Sequence, residues 1–195
     1  MTLQEIFALV CGQGRCFVVA GEALPVCERC LGLYLGAAVT AICLVAAGTW
    51  RRGLPSRGVF LANLAVLVLA LLGGVHALDP GQTWRVACGA WTGYVATLWL
   101  AGAANQLRDR HNAPTEALAW RGADKLAAVL ALALGTAAAL AIRPLLELGW
   151  AFWATVAAVG CAALWACAAW AVLALCCWCA RVLAAGRKRL GPRTS

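Results

Sequence analysis

The chain has 195 residues, of which 64% are hydrophobic and 12% charged, and it carries a formal net charge of +8. Its mean hydropathy is +0.81. Soluble domains carry about 25% charged residues, so this composition excludes a globule that covers itself with polar surface in water.

Apolar stretches of about 18 residues or more are long enough to cross a hydrocarbon core about 30 Å thick. Five such stretches occur, near 31–49, 58–78, 85–105, 126–148 and 150–180. Lipid offers no partner to backbone polar groups, so these segments must be helical. The expected fold is all-α: a polytopic membrane bundle of about five transmembrane helices. It divides into a cysteine-bearing membrane part (1–105), a loop (106–125), a two-helix extension (126–180) and a basic tail (181–195).

In chain order, Met1 to Val10 holds Glu5 and no Lys or Arg, which does not fit the basic start of a cleaved signal. Leu3, Ile6, Phe7 and Val10 fall at helical spacing and predict a short interfacial or re-entrant helix. Cys11 and Cys16 follow, and then Cys27-Glu-Arg-Cys30 set directly against the first span. Four thiols thus gather at one membrane boundary. Pro80 and Gly81 break the chain before the third span, leaving His76, Asp79, Gln82 and Arg85 near the same boundary.

Gly32 and Gly36 in the first span, and Gly89 and Gly93 in the third, each form a Gly-x-x-x-Gly pair. Small residues four apart let helix backbones approach closely. Spans one and three are expected to pack there, bringing the cysteines near Asp79 and Arg85. The same faces are also candidate seams for a homo-oligomer.

Basic residues are distributed unevenly among the loops. Twelve of the sixteen lie in the 49–57 loop, the 106–125 loop and the tail, and four lie on the other side: Arg15, Arg29, Arg85 and Arg143. The positive-inside rule places the basic loops and the C-terminus in the cytoplasm and the N-terminus outside, in a bacterial-type inner membrane. The net charge then calls for no nucleic acid, because the bias and the anionic lipid bilayer account for it.

The cysteine-bearing stretch resembles the domain of unknown function 2085 family of bacterial and archaeal predicted membrane proteins. The resemblance rests on Cys11, Gln13, Arg15, Phe17, Pro25, Cys27, Arg29, Cys30, Gly32, Tyr34 and Gly36, and then on Asp79, Gln82, Arg85, Gly89 and Gly93. It covers about residues 8–105. The family's pattern has His where this chain has Gly12, Ser where it has Cys16, and Thr where it has Cys88. The resemblance implies a membrane protein and brings no activity with it.

Two chemistries fit four thiols. Cys11, Cys16, Cys27 and Cys30 have a spacing compatible with a Cys₄ site for zinc or another soft metal, with His76 or Asp79 able to replace one ligand. Arg15, Arg29 and Arg85 would favour thiolates. Alternatively, Cys27 and Cys30 would exchange disulfides with a second pair in an oxidising compartment. The plain alternative is a structural staple. Metal binding is the leading expectation, and thiol–disulfide exchange is the chemistry expected if the protein is an enzyme. A third reading passes a soft metal inward to Cys176, Cys177 and Cys179. Arg29, Tyr34, His76, Asp79 and Arg85 are the expected supporting residues, Arg29 and Arg85 by pairing with Asp79 and Tyr34 from one turn below Cys30. There is no phosphate-binding glycine loop, and two histidines assemble no hydrolytic triad.

Overall fold

A computed structural model describes residues 16–74, 80–109 and 119–189. The predicted N-terminal helix, Cys11, His76 and Asp79 lie outside these described residues.

The described chain opens with an element that the hydropathy pattern did not announce. Strands β1 (Cys16–Val19) and β2 (Glu22–Cys27) pair antiparallel. Ala20 and Gly21, both at positive φ (53° and 84°), make the two-residue connection. Such a turn matches the right-handed twist of the strands it joins. Phe17 and Val19 are buried while Val18 between them is 66% exposed, the alternation of a half-buried strand. Leu24 and Val26 complete the hairpin's apolar face.

Six helices follow. They are α1 (Glu28–Ala46), α2 (Arg57–Gly74), α3 (Gln82–Asp109), α4 (Gly122–Leu140), the single turn α5 (Ile142–Leu145) and α6 (Trp150–Arg189). Four of them, α1, α3, α4 and α6, are long and apolar enough to cross a membrane, and α2 is apolar but shorter. The all-α bundle read from composition is therefore the fold, with a small hairpin added. The expected fourth span divides at Leu140, because α5 carries Pro144 and a 3₁₀ turn (Leu146–Leu148) leads to Gly149 at φ 92°.

The centre of the bundle is the crossing of α1 and α3. A Cβ on Gly32 or Gly36 would run into the backbone of Val86 or Ala90, and one on Gly89 or Gly93 into that of Arg29 or Leu33. The two glycine pairs thus interlock as the sequence predicted. The Gly-x-x-x-Gly faces are thus occupied by the chain's own helices. Gly160 of α6 meets the backbone of Tyr34 in the same way.

Directional hydrogen bonds fix the outer helices around this pair. Trp91 Nε1 donates to Thr136 Oγ1 at 2.9 Å, joining α3 to α4. Trp150 Nε1 donates to Ala23 O at 3.2 Å, holding the start of α6 against the hairpin. One apolar core lies under the hairpin, around Leu31, Tyr34, Val86 and Trp153. A second lies toward the other end, around Leu44, Tyr94, Val95 and Leu98.

Candidate thiol site

The hairpin and the start of α1 together build the site. Cys16 opposes Cys27 in the β1–β2 register. Residues directly opposite in an antiparallel pair have Cβ atoms about 4.5–5.5 Å apart, which makes Cys16 and Cys27 neighbours across the hairpin, next to an irregularity in register between Cys16 and Val18. Cys27 is also the N-cap of α1, with extended backbone (φ −71°, ψ 165°) and no side-chain cap hydrogen bond. Cys30 lies three residues further on, in the first helical turn. N-cap and N3 side chains meet on the same side of that turn, so Cys27 and Cys30 share one face. Cys27 is 3% exposed, whereas Cys16 and Cys30 are half-buried.

A fourth thiol joins them from α3. Cys30 and Cys88 line one cavity of about 170 Å³, together with Arg29, Leu33, Ala70 and Thr92. Cys88 itself is buried. Gly73 at the end of α2 leaves the room for it, since a Cβ there would stand 2.5 Å from Cys88 Sγ. The sequence marks Cys88 only by its place where the family pattern has Thr.

The charged groups are arranged differently from the expectation. Arg85 pairs with Glu28 at 2.8 Å, Nε to Oε2. Gln82 Nε2 donates to the other oxygen of the same carboxylate at 2.7 Å. Glu28 is only 7% exposed, a charge taken out of solvent and answered by two partners. It also sits in the first turn of α1, where the helix dipole favours a negative charge. The sequence did not single out Glu28 as a partner of Arg85; Asp79, the partner expected there, lies outside the described residues. Arg29 donates from Nη2 to Gly73 O at 2.8 Å, which ties the start of α1 to the end of α2. Tyr34 is 2% exposed and belongs to the apolar core below the cysteines.

Among the described residues, no group of three or more His, Cys, Asp or Glu side chains is placed to hold a metal ion. Three of the four expected ligands, Cys16, Cys27 and Cys30, are among those residues, and the fourth, Cys11, lies outside them. Cys176, Cys177 and Cys179 are exposed on α6 and form no such group either. They lie 26 to 29 residues beyond Trp150, about 40 Å along the helix from the hairpin end.

Residues 11–99 match the family model described as predicted membrane protein (DUF2085). The resemblance read from the cysteine motif therefore holds over the hairpin, α1, α2 and most of α3. No curated protein and no solved structure matches the chain significantly. The class that the fold and the family model define is an integral membrane protein.

Proposed function

We propose that the protein is a membrane thiol–disulfide exchange protein, with Cys27 and Cys30 as the exchanging pair. The observation that carries this reading is the position of that pair at the N-cap and first turn of α1, with Cys16 in register beside Cys27. A helix N-terminus favours the anionic sulfur that attacks a disulfide. Cys30 is the more accessible of the two and opens on the cavity that also holds Cys88. It is the attacking thiol, and Cys27 resolves.

The exchange balances without an added oxidant. The Cys30 thiolate attacks one sulfur of a partner's disulfide, forming a mixed disulfide and releasing the partner's other sulfur as a thiolate. Cys27, losing its proton, then displaces the partner, which leaves as a dithiol, and Cys27–Cys30 becomes the disulfide. Two electrons pass to the partner, and the two protons lost by Cys27 and Cys30 end on its thiols. Cys16, opposite Cys27, is placed to take over that disulfide in the next exchange.

The distribution of basic residues supports an extracytoplasmic position for the site. Arg51, Arg52, Arg57, Arg108, Arg121 and Lys125 cluster at the bundle end opposite the hairpin. The hairpin end then faces the oxidising side of a bacterial-type cell membrane, where disulfides persist.

Soft-metal binding by Cys11, Cys16, Cys27 and Cys30 is the second reading, favoured by their sequence spacing, although no group of three or more ligating side chains is placed to hold an ion among the described residues. One experiment separates the two. Protein purified anaerobically in detergent is assayed for metal content and titrated by thiol trapping in glutathione buffers. The exchange reading expects no stoichiometric metal and a Cys27–Cys30 disulfide that forms and breaks near about −200 mV. Cys30→Ser should abolish exchange with a reduced or oxidised model substrate, whereas Cys177→Ser should leave it unchanged. One metal per chain with the N-terminal thiols protected would replace this reading with the metal site. A disulfide that resists reduction below about −300 mV would leave only a staple.

A further inference from the structure

At the end of the bundle opposite the thiols, α1, α3 and α6 separate around a cavity of about 240 Å³. Its walls are almost wholly apolar, and small residues make the space: Ala41 from α1, Ala101 from α3 and Ala166 from α6. Trp50 and Trp170 stand at its edge, packed edge to face with ring centroids 5.8 Å apart. Each of these rings carries a cation. Arg51 lies over Trp50 at 5.0 Å, and Arg108 lies over Trp170 at 5.5 Å. A shallower groove of about 230 Å³ shares Trp170 and adds Arg181 beside Arg108.

Among the described residues, one buried hydroxyl on the wall is without a hydrogen-bond partner. Thr97 is 1% exposed and lines the cavity, and its Oγ1 has no hydrogen-bond acceptor or donor among the described residues. Apolar walls and guanidinium groups at the rim describe the outline of an amphiphile with an anionic head.

We propose that this cavity is a binding site for an anionic phospholipid, its acyl chain between Ala101 and Ala166 and its phosphate against Arg51 and Arg108. Arg181, one groove further along, takes the outer phosphate oxygens or a second charge on the head. Stacking on Trp50 and Trp170 holds the two guanidinium planes in place, so that less freedom is lost when they meet a phosphate. The site is independent of the thiol chemistry and rests only on the membrane setting.

The test uses the full-length protein, stripped of lipid in a zwitterionic detergent and followed by native mass spectrometry. It is offered dioleoyl phosphatidylglycerol, dioleoyl phosphatidylcholine or inorganic phosphate. One phosphatidylglycerol should be retained in preference to phosphatidylcholine. Each basic residue near an anionic lipid is worth about a five-fold change in binding, so Arg51→Gln/Arg108→Gln should lower that retention about 25-fold. Arg57→Gln, equally basic but away from the cavity, should leave it unchanged. Ala166→Phe keeps every charge and fills the chain's place, so it should abolish retention of both lipids while the helix content stays that of the parent. Equal retention of the two lipids overturns the proposal, as does retention insensitive to Ala166→Phe. Binding of inorganic phosphate with the same dependence on Arg51 and Arg108, and no lipid selectivity, makes the site one for a soluble anion and overturns the lipid assignment.

Discussion

The two ends of the bundle use the same electrostatic device for different purposes. At the hairpin end, Glu28 in the first turn of α1 pairs with Arg85 of α3. At the other end, Asp124 in the first turn of α4 pairs with Arg52 of the α1–α2 loop, Nε to Oδ2 at 3.3 Å. Both carboxylates are buried at helix starts, and both bind together elements distant in sequence. The surroundings differ. Asp124 is backed by the Arg121 backbone N–H at 2.6 Å. Around it, Asn105 Nδ2 donates to Trp50 O and Arg52 O, and Trp120 Nε1 donates to Gly53 O. There the α1–α2 loop is clasped to α3 and to the start of α4, beside the cavity lined by Trp50 and Asn105. At the hairpin end the carboxylate belongs to the residue after Cys27 in the chain, and its shown partners are Arg85 and Gln82. The same buried ion pair thus occurs at both ends, and what distinguishes the hairpin end is the cysteines near it in the chain.

The sharpest way to break the comparison is to remove what both ends depend on. Gly93→Leu drives a side chain into the backbone of Leu33 and Ala37 at the α1–α3 crossing. It should cost about 3 kcal/mol or more, and monodisperse protein should not be recovered in detergent. Next, Arg85→Met strands Glu28 in the interior and should lower stability by about 3 kcal/mol in thermal unfolding. The double variant Glu28→Leu/Arg85→Met should regain most of that loss, because it removes the orphaned charge along with its partner. Arg52→Met should cost less, about 1 kcal/mol, since Asp124 keeps the Arg121 N–H and the Arg52 side chain is already 23% exposed. If the two arginine variants proved equal, the two clasps would be energetically alike and the distinction drawn here would fail. The smallest effect belongs to Trp120→Phe, which loses one hydrogen bond to Gly53 O and should cost about 0.5–1 kcal/mol.

What could be read from the sequence follows from how local each signal is. The spans were legible because about 20 apolar residues in a row have few alternatives. The α1–α3 crossing was legible because two glycine pairs at matching depth leave a mark on the chain itself. The hairpin was not, because its strands have four and six residues and its turn is Ala-Gly rather than the Asn-Gly that announces such turns. Phe17, Val18 and Val19 do alternate, but three residues carry little weight beside four cysteines. The role of Glu28 was hidden for another reason. Its partner is 57 positions away, and only the interlocked glycines bring the two together. Asp124 and Arg52 were likewise indistinguishable from solvated loop charges, because pairing is a property of the folded bundle.

The length of α6 constrains the membrane around it. Its apolar portion, Trp150–Ala184, has 35 residues, and little of it is buried within the protein. At 1.5 Å per residue it measures about 52 Å, against a hydrocarbon layer of about 30 Å. Even leaning by about 40°, the steep end of what membrane helices adopt, it rises about 40 Å. The last turns, with Arg181 near their end, must therefore ride through the headgroup zone as a rigid rod instead of stopping at the hydrocarbon edge. The shorter helices α1, α2 and α4 face no such excess. Any local thinning of the bilayer would fall on this one rod first, which makes α6 the part of the molecule that measures membrane thickness.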